Sequence, residues 1–487
     1  MIADSIENLV NPLKHVLNLS LNKGVFPKEL KIAKVIPLHK GNEANIVSNY
    51  RPISLLPVIS KIYEKVMYTR LISFLETFKL LYELQFGFRK DHSTCSALMI
   101  LIDKITSELK DGNFVLGVFL DYSKAFDCIN HSILLQKLRY YGIRGVALDW
   151  FQSYLSDRNQ FVYFNDTKSN YRDVTCGVPQ GSILGPILFL IYINDIVHVS
   201  NKLFPILFAD DSNVFLSGKD PNEMITSMNY ELEKLIKWLQ ANRLSLNIKK
   251  THFMFFSPPR KNLSFSNEIR IMGEKIEMVH ETKFLGVMLD SKLSWQPHIA
   301  YISKKISKGI GILCKARKYL PQKCLMTLYY SFIYPYMNYC LEVWGKCTND
   351  IFSKVFVLQK RAIRLIDNRP WRSPSKPIFD KLNILPLKKV FAYKIGIFMY
   401  KFNKNSLPRI FDDVFKKTSQ IHSHKTRITF HVPFTANCRT QRTIRYQGPT
   451  LGNYIFSKLN VSSHSWALLT FKTKLKKFLL KNEIEFL

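Results

Sequence analysis

Two adjacent aspartates, Asp210 and Asp211, stand between two apolar runs, residues 203–208 and 214–216. Apolar runs on both sides of a short polar segment predict a strand, a tight turn and a second strand, with both carboxylates at the turn. Two carboxylates held at a hairpin tip form a hard, doubly negative group of oxygens, which suits Mg²⁺. Aspartate is also a common turn residue, so the pair alone leaves a metal site and a plain turn both open.

A third carboxylate strengthens the hypothesis of a metal site. Asp121 follows an apolar run, residues 114–120, and stands 89 residues before Asp210. A near-continuous apolar strand is typical of a sheet that is covered on both faces. A carboxylate at the end of such a strand requires a cation or strong hydrogen-bond donors. The three aspartates together therefore predict a Mg²⁺ site around which the rest of the chain is arranged.

Positive charge is concentrated in the last two fifths of the sequence. The chain of 487 residues has a formal net charge of +33. Residues 291–487 contain 36 Lys and Arg against 8 Asp and Glu, whereas residues 1–290 contain 34 against 29. Such a charge on a segment with real apolar content favours nucleic acid as the partner over a merely solvated basic surface. The hydrophobic fraction of 47% excludes a disordered chain, and the length allows several domains.

Cysteine and histidine usage argues against a disulfide framework or a zinc site. The eight cysteines include no CxxC pair, which is typical of a reducing, intracellular compartment. We interpret His422, His424, His431 and Cys438, which are close in sequence, as surface residues of a loop and not as metal ligands. The longest apolar run, residues 183–193, is too short to span a bilayer. No signal peptide opens the chain, and no membrane partner is expected.

Several short segments have the composition of a phosphate-binding site. Lys34, Lys40 and Arg51 flank a polar loop, where they could bind a triphosphate or serve as ordinary surface charges. Residues 177–182 place two glycines and a proline before an apolar helix, which suits contact with a phosphate or a base pair; an ordinary helix start is the alternative. We interpret Asp127 as the cap of a following helix or as an ion-pair partner.

The sequence after Asp290 has the pattern of basic amphipathic helices. Isoleucine and leucine residues at spacings of three and four are accompanied by lysines on the opposite face, which could lie along a phosphate backbone. Prolines and polar residues at 371–377 predict a boundary, and residues 405–460 are interpreted as basic and loop-rich. The predicted helices cover residues 299–313, 321–345, 351–366 and 378–403, and a last helix ends near Leu480.

In this order the segments resemble one family, the reverse transcriptases of non-LTR (LINE-type, jockey-like) retrotransposons. The resemblance runs from about residue 34 to the end of the chain and is most specific between residues 51 and 286. Each segment is a weak signal alone, and their common order makes the resemblance specific. The segments are residues 49–54, 85–89, 119–127, 177–182, 208–211, 244–251 and 284–286.

The resemblance implies an α+β fold of the right-hand polymerase type, with fingers, a palm built on an antiparallel sheet, and a helical thumb. It also implies a division of the chain into four parts. These are an N-terminal helical extension (1–27), fingers and palm (28–290), a basic helical thumb (291–375), and a basic, mostly helical C-terminal region of unknown role (376–487).

The activity that the resemblance implies is RNA-directed DNA polymerase, which transfers dNTPs onto a primer 3′-hydroxyl with the help of two Mg²⁺ ions. The implied partners are an RNA template, a DNA primer or RNA–DNA hybrid, and dNTPs. Asp121 and Asp210 would hold the metal ions, with the backbone carbonyl of Tyr122 and, more loosely, Asp211. Lys250 resembles the lysine that protonates the leaving pyrophosphate.

The same resemblance assigns residues to the nucleotide and to the primer. Phe126 matches the aromatic position that excludes a ribose 2′-hydroxyl, so deoxynucleotides are the expected substrate. Arg51 and Lys40 would hold the triphosphate, and the thumb would grip the template–primer duplex by its backbone and shape. The expected nucleotide-binding residues are Lys40, Arg51, Phe126, Gln180 and Gly181, and the expected primer grip is Phe284, Leu285 and Gly286.

Two other functions stay open. A catalytically inactive nucleic-acid-binding remnant is suggested by the basic tail and by the absence of an upstream endonuclease domain, but all three aspartates are retained. An RNA-dependent RNA polymerase is the other alternative, and Phe126 argues against it. A nuclear location follows from the family alone, because no address signal is visible.

Overall fold

The computed structural model describes residues 6–41, 43–258, 261, 263–421, 428–435, 437–461 and 466–483. His422 and His424, two members of the histidine group noted above, lie outside these residues. Within the described residues, strands and helices alternate up to Asp290 and only helices follow. The fold is therefore a mixed α+β fold, as predicted.

Eighteen α-helices occur in the described residues, labelled α1 to α18 in chain order. They span Ile6–Lys23, Val58–Thr77, Thr94–Lys110, His131–Tyr140, Val146–Leu155, Leu184–Ile193, Pro221–Ala241, Gln296–Ala316, Gln322–Phe332, Tyr334–Asn338, Leu341–Trp344, Asn349–Ile366, Lys376–Lys381, Leu387–Asn403, Phe411–Val414, Cys438–Gln441, Ile444–Leu459 and Leu468–Lys481. The sequence explains why helix α7 starts where it does. The Asp220 carboxylate accepts a hydrogen bond from the backbone N–H of Asn222 at 2.9 Å, and Pro221 takes the first helical position.

Fourteen β-strands occur in the described residues, labelled β1 to β14. They span Ile32–His39, Tyr50–Leu55, Phe114–Leu120, Arg158–Phe164, Thr167–Lys168, Arg172–Val174, Phe204–Phe208, Asp211–Gly218, His252–Phe256, Arg270–Ile271, Glu274–Lys275, Glu277–Met278, Glu281–Phe284 and Val287–Asp290. Two sheets have five strands each, and β10–β11 and β13–β14 are separate two-stranded hairpins. One five-stranded sheet, called the central sheet here, has the order β12-β9-β3-β8-β7.

The central sheet is antiparallel except for the edge pair β12–β9. All seven residues of its middle strand, β3, are buried. Alternate side chains of β3 belong to different hydrophobic clusters: Leu116 and Val118 to one, Val115 and Phe119 to the other. The prediction that this apolar strand is covered on both faces is therefore confirmed, because successive strand residues point to opposite sides.

Helices cover the two faces of the central sheet. The cluster that contains Leu116 also contains side chains of α4, α6 and α7, such as Leu134, Ile187 and Leu232. The opposite cluster contains most of α3 and continues into the helices after Asp290. Both faces of the sheet are therefore buried, and the ends of its strands are the part that remains accessible.

The second five-stranded sheet has the order β2-β1-β4-β5, with β6 also paired to β4. Strands β1 and β2 form an antiparallel hairpin in which His39 pairs with Tyr50, so the polar loop between them projects from its end. Helix α1 packs on α5, where the indole N–H of Trp150 donates to the hydroxyl of Ser20 at 3.1 Å. Within the described residues the helix predicted over residues 1–27 spans Ile6–Lys23, so it ends before Gly24.

Residues before and after position 375 share one hydrophobic cluster. It includes Val355 and Ile363 of α12 together with Val390 of α14, Ile455 of α17 and Leu475 of α18. The division into a thumb and a C-terminal region at this position stays a prediction.

Two local predictions are wrong. Residues 444–459, predicted to be part of a loop-rich segment, form helix α17, with Pro449 inside it. Residues 244–247 alternate leucine with polar residues, which predicts a strand, but Leu246 makes only a single bridge to Tyr122. The helices predicted over residues 321–345 are present as α9, α10 and α11, and Cys340, between the last two, has a positive φ.

No helix among the described residues is both long and apolar enough to cross a membrane.

Candidate active site

Strand pairing brings the three aspartates to one end of the central sheet. In the antiparallel pair β3–β8, Leu120 lies opposite Ser212. The next residues beyond this pair are Asp121 and Asp211, so both lie at the same end of the sheet. Phe208 of β7 pairs with Asp211 of β8, which leaves Ala209 and Asp210 as a two-residue turn at that end.

The Ala209–Asp210 turn is held by a segment from another part of the chain. Ala209 has a φ of +55°, a conformation that costs free energy in a residue with a Cβ. The side-chain oxygen of Gln85 accepts hydrogen bonds from the backbone N–H groups of Ala209, at 3.0 Å, and Gly87, at 2.9 Å. A Cβ at position 87 would lie 2.3 Å from the nitrogen of Ala209, so only glycine allows this approach.

A cleft of about 1050 Å³ opens in front of the two carboxylates. Asp121 and Asp210 line it on one side. Lys40, which follows β1, Arg51 of β2 and Lys250 also line it. The fold therefore brings carboxylates and cations of distant segments together around one open cleft. Its lining includes the carboxylates Asp121, Asp127 and Asp210 and the cations Lys40, Arg51, Lys124 and Lys250.

The carboxylates repel one another at this edge. The side chains of Asp210 and Asp211 reach solvent but are partly desolvated. This loss of hydration raises the pKa of Asp210, and the charge of Asp121 raises it further. Partial loss of hydration, with the charges of Asp210 and Asp121, raises the pKa of Asp211 to about 6. The positive charge of Arg51 partly offsets this and lowers the pKa of Asp210. A bound cation would relieve this repulsion.

The donor set fits magnesium. Mg²⁺ is held in proteins by one or two carboxylates together with water and substrate phosphates, and not by a complete cage of side chains. Asp121 and Asp210 line the cleft, whereas Asp211 is absent from its lining. The described residues contain no group of three or more His, Cys, Asp or Glu side chains that could hold a metal by itself. Asp121 and Asp210 thus supply the two carboxylates that a substrate-assisted Mg²⁺ site requires.

Lys250 reaches the carboxylates because its segment is bonded to the Asp121 loop. The backbone N–H of Asn247 donates to the carbonyl of Asp121 at 2.7 Å, and that of Ser123 donates to the carbonyl of Ser245 at 2.9 Å. A short 3-10 helix, Ile248–Lys250, then places Lys250 Nζ 4.0 Å from the Asp121 carboxylate.

Of the three cations considered for the triphosphate, two line the cleft. Lys40 lies at the start of the β1–β2 loop, where its N–H donates to the carbonyl of Asn49 at 2.8 Å, and Arg51 lies in β2 just after the loop. Lys34 does not line it: its ammonium group lies 3.5 Å from the ring centre of Tyr163. The structure therefore gives Lys34 a cation–π contact.

The loop of residues 177–182 is pinned between the Asp121 segment and β2. The N–H of Ser54 donates to the carbonyl of Gln180 at 2.8 Å, and a Cβ at Gly181 would lie 2.4 Å from the Ser54 oxygen. The carboxamide of Gln180 lines the cleft and donates to Asp127 at 2.8 Å, whereas Gly181 is absent from the lining. Close backbone packing explains the glycine at 181 without a ligand.

Asp127 is neither the cap nor the ion-pair partner that its sequence context suggested. Helix α4 is capped by Asn130, whose side chain accepts from the N–H of Ile133 at 3.1 Å. Asp127 instead faces the cleft and accepts the hydrogen bond from Gln180. Burial raises the pKa of Asp127, and this hydrogen bond opposes the shift.

Phe126 lines the cleft beside Asp121 and is held by other rings. It stacks on Phe189 of α6 with ring centres 4.5 Å apart, and Phe88 meets it edge-on at 6.2 Å. Tyr122 also lines the cleft, with its side chain buried.

The hairpin β13–β14 lies at the junction of the sheet and the following helices. Its two turn residues, Leu285 and Gly286, both have positive φ, as two-residue hairpins require, and Phe284 is buried against Phe119. The hydroxyl of Tyr339 donates to the carbonyl of Leu285 at 2.7 Å. This turn is absent from the lining of the cleft, so its contact with a primer stays a prediction.

Residues 38–289, just over half of the chain, match the family model described as reverse transcriptase (RNA-dependent DNA polymerase). The chain belongs to the reverse transcriptase family. The matched range begins near the end of β1 and ends in β14, so it contains all three aspartates and the whole central sheet.

This reverse transcriptase is similar to proteins of mobile elements. It is 30% identical over 390 residues to the probable RNA-directed DNA polymerase from transposon BS of Drosophila melanogaster, covering 76% of this chain and 42% of that protein. It is 28% identical over 414 residues to the RNA-directed DNA polymerase from mobile element jockey of the same species, covering 81% and 44%. The resemblance to jockey-like elements is confirmed, and the chain spans less than half the length of these relatives.

A solved structure, apo telomerase from Candida Tropicalis, aligns with this reverse transcriptase at a TM-score of 0.44 and 12% identity. The alignment covers 82% of this chain and 71% of that chain. Membership of the family rests on the sequence match.

The sequence did not indicate the roles of three residues in and around the site. Gln85 lies in one of the segments that carry the family resemblance, yet its bond to the Ala209 turn is visible only in the fold. Asp127 was recognised but given another role. Tyr339, which lies 54 residues after Leu285, had no local signal at all.

Proposed function

We propose that this chain is an RNA-directed DNA polymerase of a non-LTR retrotransposon, which adds deoxynucleotides to a primer 3′-hydroxyl. The observation that carries the proposal is the meeting of Asp121 and Asp210, 89 residues apart in sequence, in one cleft with four lysine and arginine side chains. Carboxylates opposite cations suit a substrate that brings both a triphosphate and metal ions.

Asp121 and Asp210 would hold two Mg²⁺ ions, with the backbone carbonyl of Tyr122 as a further ligand and Asp211 as a looser support. When bound, such ions activate the attacking hydroxyl and neutralise the charge of the triphosphate. Partial burial, together with the mutual repulsion of the carboxylates, raises the pKa of Asp210 and Asp211. This supports the assignment, because a bound cation favours the charged form of both groups.

The cations of the cleft would bind the triphosphate. Arg51 of β2 offers a planar fork of donors that matches phosphate oxygens, and Lys40 of the preceding loop would close over them. Lys250, whose Nζ lies 4.0 Å from Asp121, would give its proton to the leaving pyrophosphate.

Phe126 would select the sugar. Its ring is fixed between Phe189 and Phe88 at the wall of the cleft, so it cannot easily move aside for a ribose 2′-hydroxyl. Gln180 would contact the template and the incoming nucleotide from the same wall, and Gly181 would keep its loop close to β2. Deoxynucleotides are therefore the proposed substrates.

Residues outside the cleft would hold the primer and template. Phe284, Leu285 and Gly286 would form the primer grip, on a hairpin from which α8 starts. Helix α8 buries one face through residues such as Ile302 and Ile306. Its opposite face exposes lysines that could follow the backbone of an RNA–DNA hybrid.

Primer extension tests the proposal. The full chain is incubated with poly(rA)/oligo(dT), Mg²⁺ and dTTP, and compared with Asp210→Asn and with a matched control, Asp111→Asn. Asp111 is exposed at the opposite end of β3. We expect Asp210→Asn to lower the rate by about 10³-fold or more and Asp111→Asn to change it less than about twofold.

The outcomes separate the alternatives. Template–primer binding without synthesis would overturn the proposal in favour of a nucleic-acid-binding remnant. Faster incorporation of UTP than of dTTP would overturn it in favour of an RNA polymerase.

A further inference from the structure

Two turns lie side by side at the far end of helices α8 and α12. The side-chain amide of Gln322 donates to the Asp367 carboxylate at 3.3 Å and to the carbonyl of Ile366 at 3.5 Å. Residues 317–323, after α8, and residues 367–372, after α12, therefore form one surface, called the tip here. Helix α8 has 21 residues, so the tip lies about 30 Å from the hairpin at which the helix starts.

The tip exposes large aromatic side chains. Tyr319 is 84% exposed and Trp371 is 75% exposed, and neither belongs to a hydrophobic cluster. Leu320, beside Tyr319, is exposed as well. Side chains that combine a large apolar face with a polar group are typical of contact surfaces when they stand together in solvent.

Cations surround these rings. Arg317, Lys318, Lys323, Arg369 and Arg372 are all exposed. Asp367 is the one acidic residue in the sequence of the two turns, and its side chain is only 2% exposed. It is already bonded to Arg369 at 3.2 Å and to Lys381 at 2.5 Å. The charge that the tip presents to solvent is therefore positive, which favours a polyanion as partner.

Trp371 and Arg372 have the geometry of a stacking platform. The Arg372 guanidinium lies 4.8 Å from the ring centre of Trp371, as in a cation–π pair. The indole nevertheless keeps three quarters of its surface in solvent. A base can stack on such a ring while the neighbouring guanidinium binds the phosphate of the same nucleotide.

We propose that the tip binds single-stranded nucleic acid, with Trp371 and Tyr319 stacked on unpaired bases and the surrounding arginines and lysines on its phosphates. In a duplex the base faces are hidden in the stack, so an exposed aromatic ring gains little from it. The partner of the tip therefore differs from the hybrid proposed for the lysine face of α8. The proposal uses no residue of the cleft and stands independently of polymerase activity.

Binding of labelled RNA tests this proposal. The full chain is titrated, without Mg²⁺ or dNTPs, against a single-stranded RNA of about 20 unstructured nucleotides and against an RNA–DNA duplex of the same length. We expect Tyr319→Ala combined with Trp371→Ala to weaken single-strand binding about tenfold or more and duplex binding less than about twofold. The variant Tyr319→Phe combined with Trp371→Phe should retain single-strand binding, because it keeps both rings.

The chain offers a matched control. Tyr140, at the end of α4, is 83% exposed, almost as exposed as Tyr319. Tyr140→Ala removes the same group from a different surface and should leave single-strand binding unchanged. Asp210→Asn should also leave it unchanged, which separates this site from the polymerase centre.

Three results would overturn the proposal. The first is unchanged single-strand affinity in the double alanine variant, and the second is an equal loss for the duplex. The third is competition by poly-glutamate as effective as competition by unlabelled RNA, which would indicate an acidic protein as the partner.

Discussion

The side-chain oxygen of Gln85 accepts a hydrogen bond from the backbone N–H of Ala209, the residue that immediately precedes the aspartate pair, at 3.0 Å. Gln85 is 1% exposed and lies beside β7. There the N–H of Phe86 donates to the carbonyl of Leu207, and the N–H of Leu207 donates to the carbonyl of Leu84. The same oxygen accepts from Gly87. One buried amide thus fixes the turn that presents Asp210, and it opposes the cost of the positive φ at Ala209.

Replacing this amide should impair both stability and turnover. In Gln85→Leu, two backbone N–H groups lose their acceptor, which costs about 1–3 kcal/mol for each group that stays buried and unpaired. We expect a lower melting temperature and a fall of at least about tenfold in kcat, because Asp210 is no longer held in place. Thermal unfolding and single-turnover primer extension measure the two effects separately.

Gln152→Leu, at an exposed position of α5, is the control for loss of a glutamine. A Gln85→Leu variant with wild-type turnover would show that the turn keeps its geometry without this bond.

Tyr339 should control primer affinity and not the chemical step. Its hydroxyl donates to the carbonyl of Leu285 at 2.7 Å and lies 3.0 Å from the hydroxyl of Thr94, so it ties the hairpin turn to α3. Tyr339→Phe loses this tie, and we expect a several-fold higher Kd for template–primer with kcat changed less than about twofold. Tyr330→Phe is the matched control, because Tyr330 is 41% exposed and Tyr339 is 40% exposed. Equal primer affinity in both variants would argue against the role of Tyr339.

Asp127 should act on the nucleotide through Gln180. Without the 2.8 Å hydrogen bond, the Gln180 carboxamide is free to rotate at the wall of the cleft. We expect Asp127→Ala to raise KM for dNTP about fivefold to tenfold while primer affinity stays unchanged. Asp127→Asn keeps an oxygen that accepts this bond and should restore most of the loss. If both variants are equally impaired, the charge of Asp127 matters and its bond to Gln180 does not.

The three aspartates could be predicted because each follows an apolar run, and the antiparallel pairing of two such strands is a short step from the sequence. The contact of Gln85 with Ala209 could not be predicted, because the two residues are 124 positions apart in the sequence. They meet only because residue 85 runs beside β7 in the fold. Asp127 was misread since a carboxylate near a helix start usually caps it. Here Asn130, three residues later, takes that position.

Helix α17 was missed for a different reason. Gly448, Pro449 and Gly452 interrupt its apolar pattern and read as loop residues. In the structure Gly448 and Gly452 let the helix approach Met399 closely. Tertiary packing decides the helix here, against the local propensity.

The last relationship concerns His298 in the first turn of α8. The imidazole is 1% exposed, its Nδ1 accepts from the N–H of Met288 at 3.3 Å, and its ring meets Trp344 edge-on at 5.5 Å. Burial lowers the pKa of His298 to about 4. The neutral ring is thus part of the contact by which α8 is attached to hairpin β13–β14.

This histidine should make the folded protein less stable in mild acid. Between about pH 6.5 and pH 4 the unfolded chain binds a proton that buried His298 does not, so stability falls as the pH falls. From pH 7 to pH 5 we expect His298 to contribute a loss of about 2 kcal/mol in the free energy of unfolding, which His298→Gln should lack. Urea unfolding at the two pH values measures it, with exposed His280→Gln as the control for removal of a surface histidine. An identical pH dependence in wild type and His298→Gln would mean that His298 is already protonated in the folded chain or becomes so without cost.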